Sequence, residues 1–297
     1  MSMSKASPLI RGTRPISLVF AYNWGVASLD KYLDQELLRG RIYFSSREAA
    51  KAVGQSSEAF FAAASRLVRK GRLASPRKGF YLILRPEDHL MGAPDPVRWI
   101  DPLMVFLGLD YRISLLRAAS FHGSSHQAAM IFQVIAPKQL RPVEIGRHRI
   151  QFVYQAARIF ANANRTEWLV QLKSETGFAK VAGVELTLFD VARYFHRAAG
   201  INGAAQVVHD LGGKADARRL SAIARVYENS AVRRLGYLLD HFGHERQASA
   251  LLPFVKKAKS MKALDPSVRT LVEGGDEHYE ENSKWMLVIN EAVEIDL

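Results

Sequence analysis

The feature that most constrains the fold is a run of helix punctuation between Ser45 and Gly79. Ser45-x-x-Glu48 is a capping box, in which the serine oxygen accepts one orphan N–H of the first turn and the glutamate reaches back to another. The helix it opens carries Ala49, Ala50 and Val53 and stops at Gly54, which can take the left-handed conformation of a sharp turn. Ser56 or Ser57 then caps a further helix. Its Phe60, Phe61, Ala64, Leu67 and Val68 are predicted to share one face, with Ser57, Ala62, Ala63, Arg66 and Arg69 spread over the rest. After Gly71 the pattern changes to Leu73-Ala74-Ser75, the turn Pro76-Arg77-Lys78-Gly79 and the apolar strand Phe80 to Leu84, which together predict a hairpin. Upstream, Leu29, Leu33 and Leu37 at helical spacing predict a first helix from Ser28, its N-cap, to Arg39, stopped by Gly40. Ile42 to Phe44 reads as a short extended piece between helices.

Three helices, the last two joined by a tight glycine turn, followed by a hairpin with a basic tip, are the parts of a winged helix-turn-helix in order and size. The charge agrees. Up to residue 90 the chain has 15 Lys+Arg against 7 Asp+Glu, a net +8 of the total +12. Positive charge gathered on one small unit points to a polyanion, because neutralising phosphates releases condensed counterions. Duplex DNA is the expected partner. Ser56, Ser57, Ala63 and Arg66 are placed to reach base edges in the major groove, while Arg69, Lys70, Arg72, Arg77 and Lys78 are placed for phosphates, with Arg47 beside them on the preceding helix. The same parts could instead be a solvated basic helix on a hairpin that serves protein contact.

At 297 residues, with 48% hydrophobic and 24% charged, the composition is that of an ordinary globular protein and excludes disorder as the main state. Zero cysteines exclude disulfide frameworks, thiolate metal sites and cysteine nucleophiles, and fit a reducing compartment. No apolar run reaches the length of a spanning helix, so no membrane partner is expected and the predicted location is cytoplasmic. Lys5, Arg11 and Arg14 ahead of Ile16 to Tyr22 superficially resemble a signal peptide, but Asn23 and Asp30 follow without a small-residue cleavage site. That stretch is predicted to be a basic arm.

Pro86, Gly92, Pro94, Pro96 and Pro102 mark a crossing after the hairpin. The expected division is therefore a winged helix with its arm over 1–88, a linker over 89–101 and a larger mixed domain over 102–297. In the last, helices are predicted at Pro102 to Leu107 and Ile113 to Ser120, and strands at Met130 to Ile135, Val143 to Ile145, His148 to Tyr154, Trp168 to Lys173 and Phe178 to Val181. From Thr187 the period becomes helical: Leu188 to Ala199, Ala204 to Leu211, Ala215 to Tyr227, Ser230 to Phe242 and Glu245 to Leu252, with a last strand-like piece at Trp285 to Ile289. Strands followed by a run of helices predict α+β.

Within this order, Gly71-Arg72-Leu73 and Gly79-Phe80-Tyr81, then Ser114-Leu115-Leu116-Arg117-Ala118-Ala119 running into His122-Gly123, then Leu186-Thr187-Leu188-Phe189-Asp190 and Arg234-Leu235-Gly236-Tyr237-Leu238-Leu239, carry a resemblance. The chain resembles the AbiEi family of abortive-infection antitoxins and transcriptional regulators of type IV toxin–antitoxin systems over nearly its whole length. The resemblance implies a winged helix that binds repeats in its own promoter and represses it. It also implies a C-terminal domain that opposes a nucleotidyltransferase-like toxin, a separate protein that need not be bound directly. The family has no universal catalytic residues, so neither catalytic residue nor cofactor is expected.

Other chemistry has weaker support. Glu167 with Gln171-x-Lys173 resembles a degenerate nuclease centre, which needs a second acid such as Glu185 or Asp190 to hold a divalent metal. His122 and His126 have metal-ligand spacing only on a helix, and Gly123-Ser124-Ser125 interrupts one; His241 and His244 flank Gly243. Gly212-Gly213-Lys214 lacks the spacing of a phosphate loop, and Ser124 and Ser125 lack the context of a nucleophile elbow. Two rivals remain: a winged-helix regulator whose second domain senses a ligand, requiring an apolar pocket there, and a DNA-targeted nuclease built on Glu167, Gln171 and Lys173.

Overall fold

The structure, a computed structural model, describes residues 28–124, 131–256, 258–268 and 280–295. The basic arm with Lys5, Arg11 and Arg14 lies outside them, as do Ser125, His126 and Met130. The fold is mixed α and β, as expected.

The N-terminal unit follows its punctuation. Helix α1 (Leu29–Leu38) starts at Ser28, whose hydroxyl accepts from the Lys31 N–H. Strand β1 (Tyr43–Ser45) leads into α2 (Ser46–Val53), where both halves of the Ser45–Glu48 capping box form and Gly54 closes the helix with φ +67°. Ser56, not Ser57, caps α3 (Ser57–Arg69). Strands β2 (Leu73–Arg77) and β3 (Phe80–Ile83) form the hairpin, with a bulge between Ala74 and Arg77 and a turn of only Lys78 and Gly79. Strand β3 lies in the middle of a sheet of order β1-β3-β2, all antiparallel.

Alternation along that sheet divides its side chains between two cores. Phe44, Leu73, Tyr81 and Ile83 face α1 and α3, packing with Leu29, Leu33, Phe60, Ala64 and Leu67. Tyr81 stacks on Phe44 and meets Phe60 edge-on. Burial pushes the Tyr32 hydroxyl, in the same core, up to about 12. Ala74, Phe80, Leu82 and Leu84 belong to the other core, that of the rest of the chain.

Residues 89–101 are packed chain. Trp99 is fully buried and donates its indole N–H to the Pro94 carbonyl at 2.8 Å. Gly92 lies back to back with Gly146: both have positive φ, and a Cβ on Gly146 would meet the Met91 carbonyl oxygen at 2.0 Å, so neither position has room for a side chain.

The larger unit comprises α4 (Ile100–Phe106), β4 (Arg112–Ile113), α5 (Leu115–Phe121), β5 (Ile131–Ala136), β6 (Val143–Ile145), β7 (His148–Tyr154), α6 (Ala157–Ala163), β8 (Leu169–Ser174) and β9 (Gly177–Ala182). These are followed by α7 (Val184–Arg193), α8 (Gly200–Leu211), α9 (Ala217–Ala224), α10 (Asn229–His241), α11 (Glu245–Ser249) and α12 (Leu252–Val255), then β10 (Lys262–Ala263), β11 (Glu280–Asn282) and β12 (Leu287–Ile289). Six strands form one sheet in the order β6-β7-β5-β4-β9-β8, with β5–β7 and β4–β9 parallel. A small sheet, β10-β12-β11, closes on α10: Trp285 fills the space over Gly236, where a Cβ would meet the indole at 2.0 Å, and its N–H reaches Asp240 at 3.1 Å.

Several element boundaries differ from expectation. The stretch predicted as one helix from Ile113 to Ser120 is strand β4 and then helix α5, because Ser114 is extended and Leu115 takes φ +56° between them. Helix α6 was not predicted. The helix expected from Leu188 to Ala199 begins earlier, at Val184, and ends at Arg193. That expected from Ala215 to Tyr227 covers Ala217–Ala224, with Asp216 as its cap. Among the described residues, no helix is long and apolar enough to cross a membrane.

Candidate nucleic-acid interface

Helix α3 buries Phe60, Ala64 and Leu67 at the 100° spacing of a single stripe. Phe61 and Val68, expected beside them, fall at the margins of that stripe and are 42% and 40% exposed. The solvent face is thus Ser57, Glu58, Phe61, Ala62, Ser65, Arg66 and Arg69, followed by the exposed Lys70. Arg66 and Arg69 stand in the last turn, where cations answer the negative end of the helix dipole. Among the described residues neither makes an ion pair, and the same holds for the exposed Arg47, Lys70 and Lys78.

The other residues singled out from the sequence are placed differently. Ala63 is half-buried against the helical core. The Ser56 hydroxyl is engaged in capping, accepting from the Ala59 N–H at 3.2 Å. Arg72 turns back to α1, 2.9 Å from Asp34 and 3.7 Å from Asp30. Arg77 leaves the hairpin tip for the larger unit: its guanidinium donates to the backbone carbonyls of Arg141 and Pro142 and lies over the Phe152 ring. Burial, and then the like charge of Arg141, lower its proton affinity. The structure therefore leaves Ser57, Phe61, Arg66 and Arg69 exposed along α3, with Lys70 as its C-cap, and engages Arg72 and Arg77 in contacts within the chain.

The larger unit buries an ion pair in its core. Arg112 and Asp190 are both fully buried and joined by two hydrogen bonds, Nε to Oδ2 at 2.8 Å and Nη2 to Oδ1 at 2.7 Å. Ser114 and Tyr227 donate to the same carboxylate, each at 2.6 Å, and Gln155 accepts from Arg112 at 2.9 Å. Burial alone would lower the Arg112 pKa, but the Asp190 carboxylate reverses this and raises it; burial, with Asp190 beside it, pushes Tyr227 well up. Among the described residues Arg112 Nη1 and Gln155 Nε2 are buried without a partner, and the other polar groups of the cluster tie β4, α7 and the segment before α10 together.

The remaining constellations have no catalytic geometry. Ser124 donates to Asp210 at 2.6 Å and His209 approaches the other carboxylate oxygen at 3.2 Å, so the acid stands between serine and imidazole where a nucleophile needs the imidazole adjacent. His122 reaches the Ala182 carbonyl at 2.7 Å. Glu167 faces Arg165, Glu185 accepts from the Asp216 N–H at 2.8 Å, and Asp190 is sealed with Arg112, so neither second acid joins Gln171 and Lys173 on β8. Among the described residues no three His, Asp or Glu side chains come together as metal ligands. A cleft of about 370 Å³, lined by Arg41, Tyr43, Glu48, Phe80, Asp101 and Phe106, lies between the two units, and two open depressions of about 460 and 520 Å³ lie on the larger one, lined by Arg218 and Arg225 and by Arg225 and Arg233.

Residues 112–241 match the family model of the AbiEi antitoxin C-terminal domain. That segment is an AbiEi antitoxin C-terminal domain. The match begins at Arg112 and ends with α10, so the buried Arg112–Asp190 cluster lies wholly within the AbiEi domain. The motifs from Ser114 onward lie within the matched segment and fasten it internally. Ser114 and Asp190 belong to that cluster, Arg234 donates to the Ala192 and Leu264 carbonyls, and Gly236 makes room for Trp285. Burial lowers the Arg234 guanidinium to about 10. A solved structure, that of the Rv2827c protein from Mycobacterium tuberculosis, is similar to this chain with a TM-score of 0.59 at 16% identity, covering 89% of this chain and 94% of that one. It shares the fold. No curated protein matches the chain. The AbiEi domain supports an antitoxin role in a toxin–antitoxin system.

Proposed function

We propose that the chain is a DNA-binding autorepressor and antitoxin. In this reading residues 1–88 form a winged helix-turn-helix, 89–101 cross over, and 102–297 oppose a nucleotidyltransferase-like toxin encoded with it in the cytoplasm. The observation that carries the DNA half is the solvent face of α3. Phe61, Arg66 and Arg69 are exposed on a helix that packs with a three-stranded sheet and follows a tight turn, with Ser57 exposed at its first turn and Arg47, Lys70 and Lys78 exposed in the same unit. The major groove admits such a helix, an arginine can read a guanine edge there, and an apolar ring can meet a thymine methyl. Ser57, Phe61 and Arg66 are assigned to base edges, and Arg47, Arg69, Lys70 and Lys78 to phosphates. Arg72 and Arg77 support the helix and the hairpin from within.

The test uses the full chain with duplex from its own upstream region. Affinity should fall steeply and linearly on a log–log plot against salt. Arg66→Ala should relax the preference for that duplex over random sequence by about 1–3 kcal/mol, whereas Lys78→Ala should weaken both alike. Binding that ignores salt, or equal losses for both variants on both duplexes, sinks the assignment. For the antitoxin half, the neighbouring gene should arrest growth alone and not beside this chain.

A further inference from the structure

We propose that the loop of residues 137–142 in the AbiEi domain is a second phosphate-binding element, doing for duplex DNA what the short wing cannot. The proposal rests on the DNA-binding reading above and extends it to a surface outside the N-terminal unit. The wing turn is two residues long, so it projects little, and its first cation, Arg77, is committed to the Arg141 and Pro142 carbonyls with its face over Phe152. That contact ties the loop to the hairpin tip. The loop carries its own charge there: Lys138 and Arg141 are exposed and, among the described residues, make no ion pair. With Lys78 next to Arg77 in the chain and Lys138 three residues before Arg141, three solvent-facing cations belong to the two segments that this contact joins.

Like charges so gathered repel one another, and at Arg77 the charge of Arg141 adds to burial in lowering the proton affinity. An anion between them would relieve that repulsion. The position favours a nucleic-acid backbone. The wing tip lies at the same end of the N-terminal unit as the first half of α3, since Phe60 packs on Tyr81, one residue into β3, and the Ser46 N–H donates to Gly79 at 2.8 Å. A duplex lying along α3 therefore runs on toward the loop. Lys138 and Arg141, being outside the groove, contribute affinity without reading sequence.

The experiment is fluorescence anisotropy of the full chain against labelled duplex from its own upstream region and against random duplex, over a series of salt concentrations. Lys138→Glu/Arg141→Glu should weaken both complexes about tenfold or more and make the salt slope shallower by about 2, leaving the ratio between the duplexes unchanged. Lys138→Gln/Arg141→Gln should do the same in smaller measure, with the circular dichroism and melting temperature of wild type. Unchanged affinity and slope in the glutamine variant, while Arg66→Ala still alters preference, overturns this proposal and leaves the DNA reading standing. A wild-type chain that binds neither duplex at low salt overturns both.

Discussion

The two cores of the molecule meet in one strand, and they differ in what holds them. The N-terminal core is apolar and aromatic, with Phe44, Phe60 and Tyr81 at its centre. The AbiEi core is several times larger and has a charged cluster, Arg112 with Asp190, at its middle. Strand β3 serves both: Tyr81 and Ile83 point into the first, Phe80 and Leu82 into the second. A division of labour between DNA contact and antitoxin function therefore need not be a division of folding. The hairpin that completes the N-terminal unit is also a wall of the other.

The largest effect should come from the buried pair. Asp190→Ala leaves the Arg112 charge without its partner in a fully buried site, at a cost of about 3–5 kcal/mol. Because β3 belongs to both cores, thermal unfolding should remain one transition moved as a whole. Two separate transitions would show that the shared strand does not couple the units.

Single substitutions on opposite faces of β3 sharpen the comparison. Leu82→Ala and Ile83→Ala each remove a fully buried aliphatic side chain, at about 2–5 kcal/mol. By hydrogen exchange, Leu82→Ala should loosen β4 and β5 first, and Ile83→Ala should loosen α1 and α3. Identical exchange patterns would mean that the faces are not distinct.

The smallest effect is at the capping box. Burial pushes the Glu48 carboxyl up, but the Ser45 N–H and hydroxyl and the Arg41 guanidinium outweigh it and hold the group below the usual carboxylate range. Its contribution is thus complete above about pH 4.3 and is lost as pH falls through the lower folded-state value. Glu48→Gln should flatten the acid limb of the stability curve, and a variant with the wild-type slope would remove Glu48 from the account.

The punctuation of the first ninety residues was legible because caps and glycine turns are local. Ser28, the Ser45–Glu48 box and Gly54 act within one turn of themselves, and all three stand where the sequence placed them. The fate of Arg77 was not legible, since its partners, Arg141 and Pro142, lie more than sixty residues away. Phe61 and Val68 were assigned to the core because residues at the margin of a helical stripe share its period without its burial. One signal went unread. Phe80 to Leu84 is apolar at every position, and a strand covered on one face alone would alternate. The Arg112–Asp190 pair, seventy-eight residues apart, had no sequence signal beyond the place of Asp190 at the end of the Leu186 to Asp190 motif.

The sharing of β3 also bears on synthesis. The N-terminal helices, with the strand they enclose, leave the ribosome first, and the side chains that cover Phe80, Leu82 and Leu84 follow over roughly the next hundred residues. At about 5–20 residues per second, the nascent chain carries a bare apolar sheet face for about 5–20 s. During that interval its aggregation is limited by whatever shields the emerging chain, a dependence on co-translational chaperones that a hairpin closing its own core would not have.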